Sequence, residues 1–345
     1  MWKLKRVPLA LGAVAVSAVL AACGSASGSG GDDDTIRIGS PACAHCLAMA
    51  LLPSQLGSAH KTSFQSFATL QAVSTAIASG RLDVAQVDYT GLVSFLSKGL
   101  PITAISGQVN GGSDLLTRKG LAVKPGDWDG LKALVAKDKA AGHKLKVGTE
   151  FGTVQDIETR LQLPKLGIDP NADVEMVNVP SQGAGAALSN GSVDVDTVVQ
   201  PFAASVLAGG GATHFAYPYD QPAGNLTNVV VVNNAWAKEH PDLVKAVAKG
   251  MSTLVPYLKT DQGRKGWVNS ILKYTDVKRG PVTEAVGQLK PDVSIPFGQV
   301  KAIADTMYQR KLISPALTEK QLRTSIDYGP LASATGKSPA ELGAP

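Results

Sequence analysis

The sequence is poor in the features that mark nucleic-acid binding, membrane spanning and hydrolytic chemistry. Its formal charge is +5, and only +2 remains without Lys3, Lys5 and Arg6, so it lacks the basic stripe that nucleic-acid binding requires. After residue 22 no apolar run is long enough to cross a bilayer. No HExxH, GxSxG or phosphate-loop pattern occurs. We therefore expect neither an enzyme nor a cofactor.

The N-terminus has the pattern of an export signal. A basic start precedes an uncharged run over residues 7–20, which ends in Leu20-Ala-Ala-Cys23. That ending resembles a bacterial lipobox, which implies removal of residues 1–22 and lipidation of Cys23. We therefore expect a lipoprotein on the outer face of the cell membrane. The alternatives are an ordinary signal peptide cut nearby and a membrane helix, but the run is short for a span of about 20 residues.

Removal of residues 1–22 leaves 323 residues, enough for about two domains. Residues 24–34 are Gly, Ser, Ala and Asp only, so we expect 23–34 to be a flexible tether. Residues 329–345 are rich in Gly, Ser, Ala and Pro, and we expect this C-terminal tail to fray.

Strand and helix patterns alternate between the tether and the tail. Apolar and β-branched runs predict strands at 35–38, 82–87, 102–105, 145–148, 174–177, 193–199 and 228–232. Helical spacing predicts helices at 69–79, 91–98, 128–141, 154–166, 184–189, 243–258, 261–273, 281–290 and 299–310. The alternation indicates an α/β fold of mostly parallel sheets flanked by helices.

One segment occurs twice. Ala76-Ile-Ala-Ser-Gly-Arg-Leu-Asp-Val84 aligns with Ala187-Leu-Ser-Asn-Gly-Ser-Val-Asp-Val195. Each copy is the end of a predicted helix, a glycine, and a strand that begins apolar-Asp-Val. The repeat favours two similar α/β units, although so short a match could arise by chance.

Seven short segments follow one another between Thr35 and Tyr257. They are Ile36-Arg-Ile-Gly39, Ala78-Ser-Gly-Arg-Leu-Asp-Val84, Lys98-Gly-Leu-Pro-Ile102, Leu145-Lys-Val-Gly148, Leu188-Ser-Asn-Gly-Ser-Val-Asp194, Gln200-Pro-Phe202 and Trp236-Ala-Lys-Glu-His-Pro-Asp-Leu-Val244. In this order they resemble the extracytoplasmic substrate-binding proteins of ABC importers, of the nitrate, sulfonate, taurine and thiamine-precursor type.

The resemblance implies a two-lobed periplasmic-binding-protein-like fold of type II, with the ligand cleft between the lobes. The first lobe is expected to combine 35–115 with 226–328, and the second to contain 116–225. The chain would cross between them near 114–118 and 224–228. A hinge that closes the lobes is a recognised motion of such proteins.

Ligands of open parallel sheets bind beyond the carboxyl ends of the strands. This rule and the crossings select the candidate ligand-binding residues Ser40, Cys43, His45, Cys46, Asp88, Tyr89, Thr90, Thr149, Glu150, Phe151, Thr153, Gln200, Phe202 and Asn225. Ser, Thr and Asp at such positions serve equally well as helix caps.

The chemistry of the pocket stays open at this stage. Three strand tips lead into helices, whose amide ends favour anions, yet no Lys or Arg lies on the tips and two carboxyl groups do, Asp88 and Glu150. Tyr89, Phe151 and Phe202 could stack on a flat ligand. A sulfonate-like or taurine-like anion and a nitrogen heterocycle therefore both remain candidates.

Cys43-Ala-His-Cys46 departs from the family pattern and has three interpretations. A disulfide between Cys43 and Cys46 suits an oxidising location. A soft-metal or thiol-reactive site would use both cysteines together with His45. A thioredoxin-like redox pair is the third, but the small fold expected around it is absent.

We therefore expect a solute-binding protein that works as a monomer and hands a small solute to an ABC permease in the membrane. One alternative is an enzyme, because some relatives on this fold resemble pyrimidine synthases. Those relatives carry iron-binding cysteine clusters. Another is an extracytoplasmic protein that binds thiols or soft metals, or exchanges thiols, through Cys43-Ala-His-Cys46.

Overall fold

A computed structural model of the protein describes residues 35–219 and 227–345. The predicted signal peptide, Cys23, the tether and Asn225 lie outside these residues. The strands are β1 (Thr35–Pro41), β2 (Lys61–Phe67), β3 (Val84–Asp88), β4 (Ile102–Gly107), β5 (Val109–Asn110), β6 (Ser113–Arg118), β7 (Leu145–Thr149), β8 (Val174–Asn178), β9 (Val195–Val199), β10 (Ala212–Ala216), β11 (Asn228–Asn233) and β12 (Lys290–Pro291).

The helices match the predicted set closely and add several short ones. They are α1 (Leu52–Leu56), α2 (Leu70–Ala78), α3 (Tyr89–Ser97), α4 (Trp128–Ala140), α5 (Val154–Lys165), α6 (Ala184–Ser189), α7 (Phe202–Ala208), α8 (Asn234–Glu239), α9 (Pro241–Tyr257), α10 (Asp261–Tyr274), α11 (Arg279–Gln288), α12 (Phe297–Gln309), α13 (Glu319–Thr324) and α14 (Gly329–Thr335). None of these described helices has both the length and the apolar character that a bilayer span needs.

The first sheet has the strand order β2-β1-β3-β11-β4. β1 pairs in parallel with β2 and β3, whereas β11 lies antiparallel between β3 and β4. Four of the five strands therefore run in one direction, as the sequence predicts. The four valines of β11, residues 229–232, are buried and pack alternately into the hydrophobic clusters on the two faces of the sheet.

The second sheet, β10-β6-β9-β7-β8, follows the same plan. β7 pairs in parallel with β8 and β9, and β6 lies antiparallel between β9 and β10. In each sheet the single antiparallel strand is second from an edge. We call the parts built on these sheets the first and second lobes. Their exact boundaries stay a prediction, although β6 belongs to the second sheet from Ser113 onward.

The repeated segment has the same structural role in both lobes. Asp83 Oδ2 accepts a hydrogen bond from Arg37 N at 2.8 Å, and Asp194 Oδ2 accepts one from Lys146 N at 3.0 Å. In return, each aspartate N donates to the carbonyl of the same partner at 2.9 Å. The aspartate thus ties the segment before β3 to β1 in the first lobe, and the segment before β9 to β7 in the second.

The two lobes are in contact along one side. Ile157 of α5, in the second lobe, packs into a hydrophobic cluster of the first lobe, and Ala204 of α7 packs into another. Arg310 Nη2 donates to Arg160 O at 3.2 Å across the same boundary. The described residues accordingly form one compact unit, which contains the two five-stranded sheets and the two-stranded pair of β5 and β12.

Two features differ from the sequence-based expectations. β2 was not predicted, because Lys61-Thr-Ser-Phe-Gln-Ser-Phe67 has only two apolar residues; it is an edge strand that is largely exposed. The expectation that the chain frays after Tyr328 is wrong. Leu331 and Leu342 are buried in the core of the first lobe, and Ile295 N donates to Leu342 O at 2.8 Å.

Candidate functional site

The loop after β1 is held from both lobes. Cys43 and Cys46 form a disulfide bond, with their Cα atoms 5.0 Å apart. Between them, Ala44 O accepts a hydrogen bond from Trp267 Nε1 at 2.7 Å, and Ala44 N donates to Gln200 O at 3.0 Å. Trp267 is buried in the first lobe, and Gln200 follows the last residue of β9 in the second. The disulfide and these two hydrogen bonds therefore hold the loop in one conformation.

His45 is buried beside the disulfide. Its Nε2 lies 3.2 Å from Cys43 Sγ, and its Nδ1 has no hydrogen-bond partner within the described part of the chain. Gly112, at φ 103°, packs against the ring, and a Cβ built there would lie 2.9 Å from Nδ1. Burial lowers the pKa of His45 to about 4, so the imidazole is neutral near pH 7.

Cys43, His45 and Cys46 are also close enough to hold a metal ion. Their potential ligand atoms lie within 4.8 Å of one another. Metal ligation by cysteine requires the thiolate, however, and the disulfide leaves neither sulfur in that form. With the disulfide formed, these three residues line a cavity instead of binding a metal ion.

A cavity of about 130 Å³ lies between the lobes. It is at the carboxyl ends of parallel strands from both sheets, where open sheets bind their ligands. The structure brings together there seven of the residues predicted from the sequence: Cys43, His45, Cys46, Asp88, Glu150, Thr153 and Phe202.

Asp88 and Glu150 enter the cavity from different lobes. Asp88 follows Val87 at the end of β3 and caps α3, because its Oδ1 accepts hydrogen bonds from Gly91 N and Thr90 Oγ1. Burial raises the pKa of Asp88 to about 6, hydrogen bonds from Gly91 and Thr90 oppose this, and the charge of Glu150 raises it further. Among the described residues, the Glu150 carboxylate accepts one hydrogen bond, from Ser181 N at 3.3 Å to Oε2.

Two of the helix ends at the cavity, those of α2 and α3, are already capped by side chains of the protein. At α3 the capping Asp88 already places a carboxylate on the amide end. At α2 the Thr69 hydroxyl accepts from Ala72 N at 3.2 Å. Near α5, Gly152 N donates to Asp156 Oδ2 at 3.1 Å. Side chains of the protein therefore already bind to the amide ends of α2 and α3, whereas the first turn of α5 has no side-chain cap.

Gln86 is a cavity residue that the sequence analysis missed. It lies inside β3, is fully buried, and neither its Nε2 nor its Oε1 has a hydrogen-bond partner among the described residues. A buried amide without partners costs about 1–3 kcal/mol, so such groups usually mark a ligand or an ordered water. The available signal was one polar residue within the otherwise apolar run Val84 to Val87.

Five further polar residues of the wall were also missed: Thr69, Gln155, Ser181, Gln182 and Thr227. Ser181 and Gln182 follow β8, so the strand-tip rule could have selected them if it had been applied to that strand. The Gln155 side chain already has one hydrogen bond, because its Nε2 donates to Ser113 Oγ at 2.9 Å. Thr227 donates its hydroxyl hydrogen to Val109 O at 3.1 Å, a long-range contact that no local pattern reveals.

The other predicted polar residues that the structure describes do not line this cavity. The Ser40 hydroxyl donates to the adjacent Pro41 O, and the Thr90 hydroxyl donates to Asp88. Thr149 is buried, and its hydroxyl has no hydrogen-bond partner among the described residues. The Gln200 side chain already has two hydrogen bonds, because its Nε2 donates to Gln288 Oε1 and its Oε1 accepts from Ala204 N.

The expected group of three aromatic residues around one cleft is not formed. Only Phe202 lines the cavity. Tyr89 is fully buried in the core of the first lobe, because the first turn of α3 faces that core. Phe151 is 43% exposed and stacks with Arg160, whose Cζ lies 5.2 Å from the ring centre.

A second, wider cavity of about 930 Å³ adjoins the first. Ala42, Ala68, Gln182 and Phe202 belong to the walls of both, and Lys278 belongs to the wall of the wider cavity alone. The wider cavity is therefore the outer part of one cleft, and the smaller cavity with the two carboxylates is its inner end.

The comparisons with known proteins agree with this geometry. The sequence profile of the NMT1-like family matches residues 48–272. No curated protein matches the sequence. Among solved structures, a ligand-binding component of an ABC-type import system from Staphylococcus aureus, with zinc bound, covers 87% of this chain and 99% of its own at 17% identity, with a TM-score of 0.71.

Two further solved structures have the same fold. The periplasmic nitrate-binding protein NrtA from Synechocystis covers 90% of this chain and 91% of its own at 13% identity, with a TM-score of 0.74. The periplasmic aliphatic sulphonate-binding protein SsuA from Escherichia coli covers 84% and 91% at 15% identity, with a TM-score of 0.68. These neighbours are solute-binding proteins, and at such identities they establish the fold.

Proposed function

Because the chain belongs to the NMT1-like family, we propose that it is the solute-binding lipoprotein of an ABC importer. It captures a small organic solute outside the cytoplasm and delivers it to the permease in the membrane. Cys23 carries the lipid that anchors it to the outer face of the cell membrane, and the protein acts as a monomer.

The position of the cavity is the observation that carries this proposal. The cavity is lined from both lobes, by the loop after β1, β3 and the segment before β11 on one side, and by the segments after β7 and β8 on the other. A solute bound there would contact both lobes at once. Binding would then favour the closed arrangement of the lobes, which a permease can distinguish from the open one.

The cavity limits the size of the part of the solute that it encloses. An engineered apolar cavity of about 150 Å³ in another protein accommodates benzene, so about 130 Å³ suits one six-membered ring or a compact chain. The wider outer cavity leaves room for a substituent. The inner cavity therefore fits a small organic molecule rather than a peptide.

Analysis of small molecules released from the natively purified protein tests the proposal. The wild-type protein should release about one equivalent of a single solute on denaturation, detected by mass spectrometry. Ala68→Trp should release none, because the indole would occupy the shared wall of both cavities. Ala141→Trp, at an exposed position after α4, is the matched control and should release the wild-type amount. Equal release from the two variants would contradict the proposal.

A second candidate function uses the loop itself. Cys43, His45 and Cys46 would bind a soft metal if the disulfide were reduced, since their ligand atoms already lie within 4.8 Å of one another. Titration with zinc before and after reduction distinguishes the two functions. Tight binding of one zinc per chain only after reduction, abolished by His45→Ala, would favour the metal site.

The enzyme alternative receives less support. The sequence has only two cysteines beyond Cys23, too few for an iron-binding cluster in addition to the disulfide. We propose no catalytic role for any residue of the cavity.

A further inference from the structure

We propose that the solute is a small organic cation, bound through a protonated nitrogen by Asp88 and Glu150 from opposite lobes. This inference rests on the proposed function and names the chemical class of the solute. It departs from the anions named for the structural neighbours NrtA and SsuA.

The two carboxylates are arranged so that a cation can bind between them. Asp88 Oδ1 is committed to capping α3, and its Oδ2 has no partner among the described residues. Glu150 uses only Oε2, in one long hydrogen bond. Two like charges that approach from different lobes repel each other as the lobes close, and a cation between them converts that repulsion into attraction.

The amide of Gln86 has no hydrogen-bond partner among the described residues. This side chain is fully buried, lines the same cavity, and offers one acceptor and two donors that no described residue satisfies. Its oxygen can accept a hydrogen from the nitrogen of the solute, and its amino group can donate to a carboxylate or to the solute. The two carboxylates and the buried amide together make a site with more acceptors than donors.

The described wall of the inner cavity supplies no positive charge to balance the two carboxylates. No Lys or Arg in residues 35–219 or 227–345 lines the inner cavity. The undescribed residues that follow Cys23, 24–34 and 220–226, contain no Lys or Arg in the sequence. His45 is in the wall, but burial keeps it neutral near pH 7. The positive charge that balances Asp88 and Glu150 therefore comes from the solute.

Three probes of one shape and different charge test this inference. Benzamidine is a cation, benzamide is its neutral counterpart and benzenesulfonate is an anion, and each has one six-membered ring. Isothermal titration calorimetry of the wild-type protein at pH 7.5, after removal of any co-purified solute, should show benzamidine binding at least tenfold more tightly than benzamide, as hydrogen bonds to charged groups predict. Benzenesulfonate should not bind measurably.

Variants assign that preference to the two carboxylates. Glu150→Gln keeps the shape of the side chain, and we expect it to weaken benzamidine binding about tenfold or more while benzamide binding changes little. Asp88→Asn should act likewise, and circular dichroism checks that α3 remains capped. Asp242→Asn removes an acid whose side chain is 91% exposed, and this control should leave binding unchanged.

The outcomes separate the two proposals. If benzenesulfonate binds and Ala68→Trp abolishes its binding, the solute-binding function stands and the cation inference is overturned. Equal binding of benzamidine and benzamide, or no binding of benzamidine, also overturns the cation inference. If none of the probes binds and the native protein releases no solute, the proposed function itself fails.

Discussion

Asp88 and Glu150 face one cavity from different lobes, and the charge of Glu150 contributes to the raised pKa of Asp88. Neither residue has a cationic partner among the described residues of that cavity. Two carboxylates in this position are unfavourable for a protein that only needs to be stable. Their arrangement is explained if a bound cation completes the site, and this account predicts how binding depends on pH.

The affinity for benzamidine should rise with pH up to about pH 6 and then level off. The pKa of Asp88 is about 6 without ligand, so protonation below that value removes one of the two charges that bind the amidinium. The affinity should fall by up to tenfold per pH unit below 6, which calorimetry at pH 4.5, 5.5, 6.5 and 7.5 measures. His45, with a pKa of about 4, stays largely neutral from pH 5.5 upward.

The ligand-free protein should show the opposite trend and so acts as a control. Because the folded-state pKa of Asp88 is raised, its contribution to stability is largest at low pH and is lost as pH rises through about 6. Asp88→Asn should remove that part of the pH dependence in urea unfolding. If benzamidine affinity instead fell as the pH rose, the assignment to Asp88 would be wrong.

The disulfide between Cys43 and Cys46 should stabilise the protein modestly and shape the cavity. The loop that it closes is very short, so loop-closure entropy predicts a loss of about 2 kcal/mol in the free energy of unfolding when both cysteines are replaced by serine. Urea unfolding with and without reductant measures this. The double variant itself should not respond to reductant. Unchanged stability of the wild-type protein on reduction would contradict the prediction.

Gly112→Ala should displace His45. Gly112 has φ 103°, and a Cβ would lie 2.9 Å from His45 Nδ1 and 3.0 Å from Leu289 Cδ2. We expect a destabilisation above the roughly 1–2 kcal/mol of backbone strain alone, together with weaker benzamidine binding. Gly57→Ala is the control, because Gly57 has φ 71° and no atom within 4 Å of the added Cβ. Equal effects of the two variants on binding would show that His45 does not shape the cavity.

The repeated aspartates should contribute unequally to stability. Asp83 and Asp194 accept equivalent backbone hydrogen bonds, but the side chain of Asp83 is 1% exposed and that of Asp194 is 19% exposed. Replacement by alanine should cost about 1–3 kcal/mol at each site, with the larger loss at Asp83. Chemical unfolding of the two single variants measures this. A larger loss at Asp194 would show that burial does not control the difference.

The lipid anchor predicted at Cys23 is tested by cell fractionation. Wild-type protein should remain with the membrane fraction and gain mass from the attached lipid. Cys23→Ser should appear in the soluble extracytoplasmic fraction without that mass. Cys43→Ser is the matched control, because it removes a cysteine of the folded region and should leave the protein with the membrane. Membrane retention of Cys23→Ser would contradict the lipidation.

The sequence predicts most of the fold because the dominant signals are local. Apolar strand runs and glycine-terminated helices such as α2 can be read from short windows, and the strand-tip rule places Asp88 and Glu150 at the cavity. Other contacts depend on the assembled structure. Nothing local shows that Gln86 points into the cavity while Tyr89, three residues later, points into the core.

The chemistry of the site was less predictable than its position. Helix ends at strand tips indicate anion binding in general, but here Asp88 and Thr69 already bind to two of those ends. Whether a helix end is free depends on side-chain conformations that the sequence does not specify. The same limit applies to the edge strand β2, whose pairing with β1 is set by the neighbouring backbone.

A crystal structure of the protein with benzamidine tests the central claim most directly. The account predicts the amidinium between the carboxylates of Asp88 and Glu150, within hydrogen-bond distance of both and of the Gln86 amide, with the ring directed toward Phe202. Benzamidine bound outside the cavity between the lobes, or within it with the amidinium turned away from both carboxylates, would contradict the account.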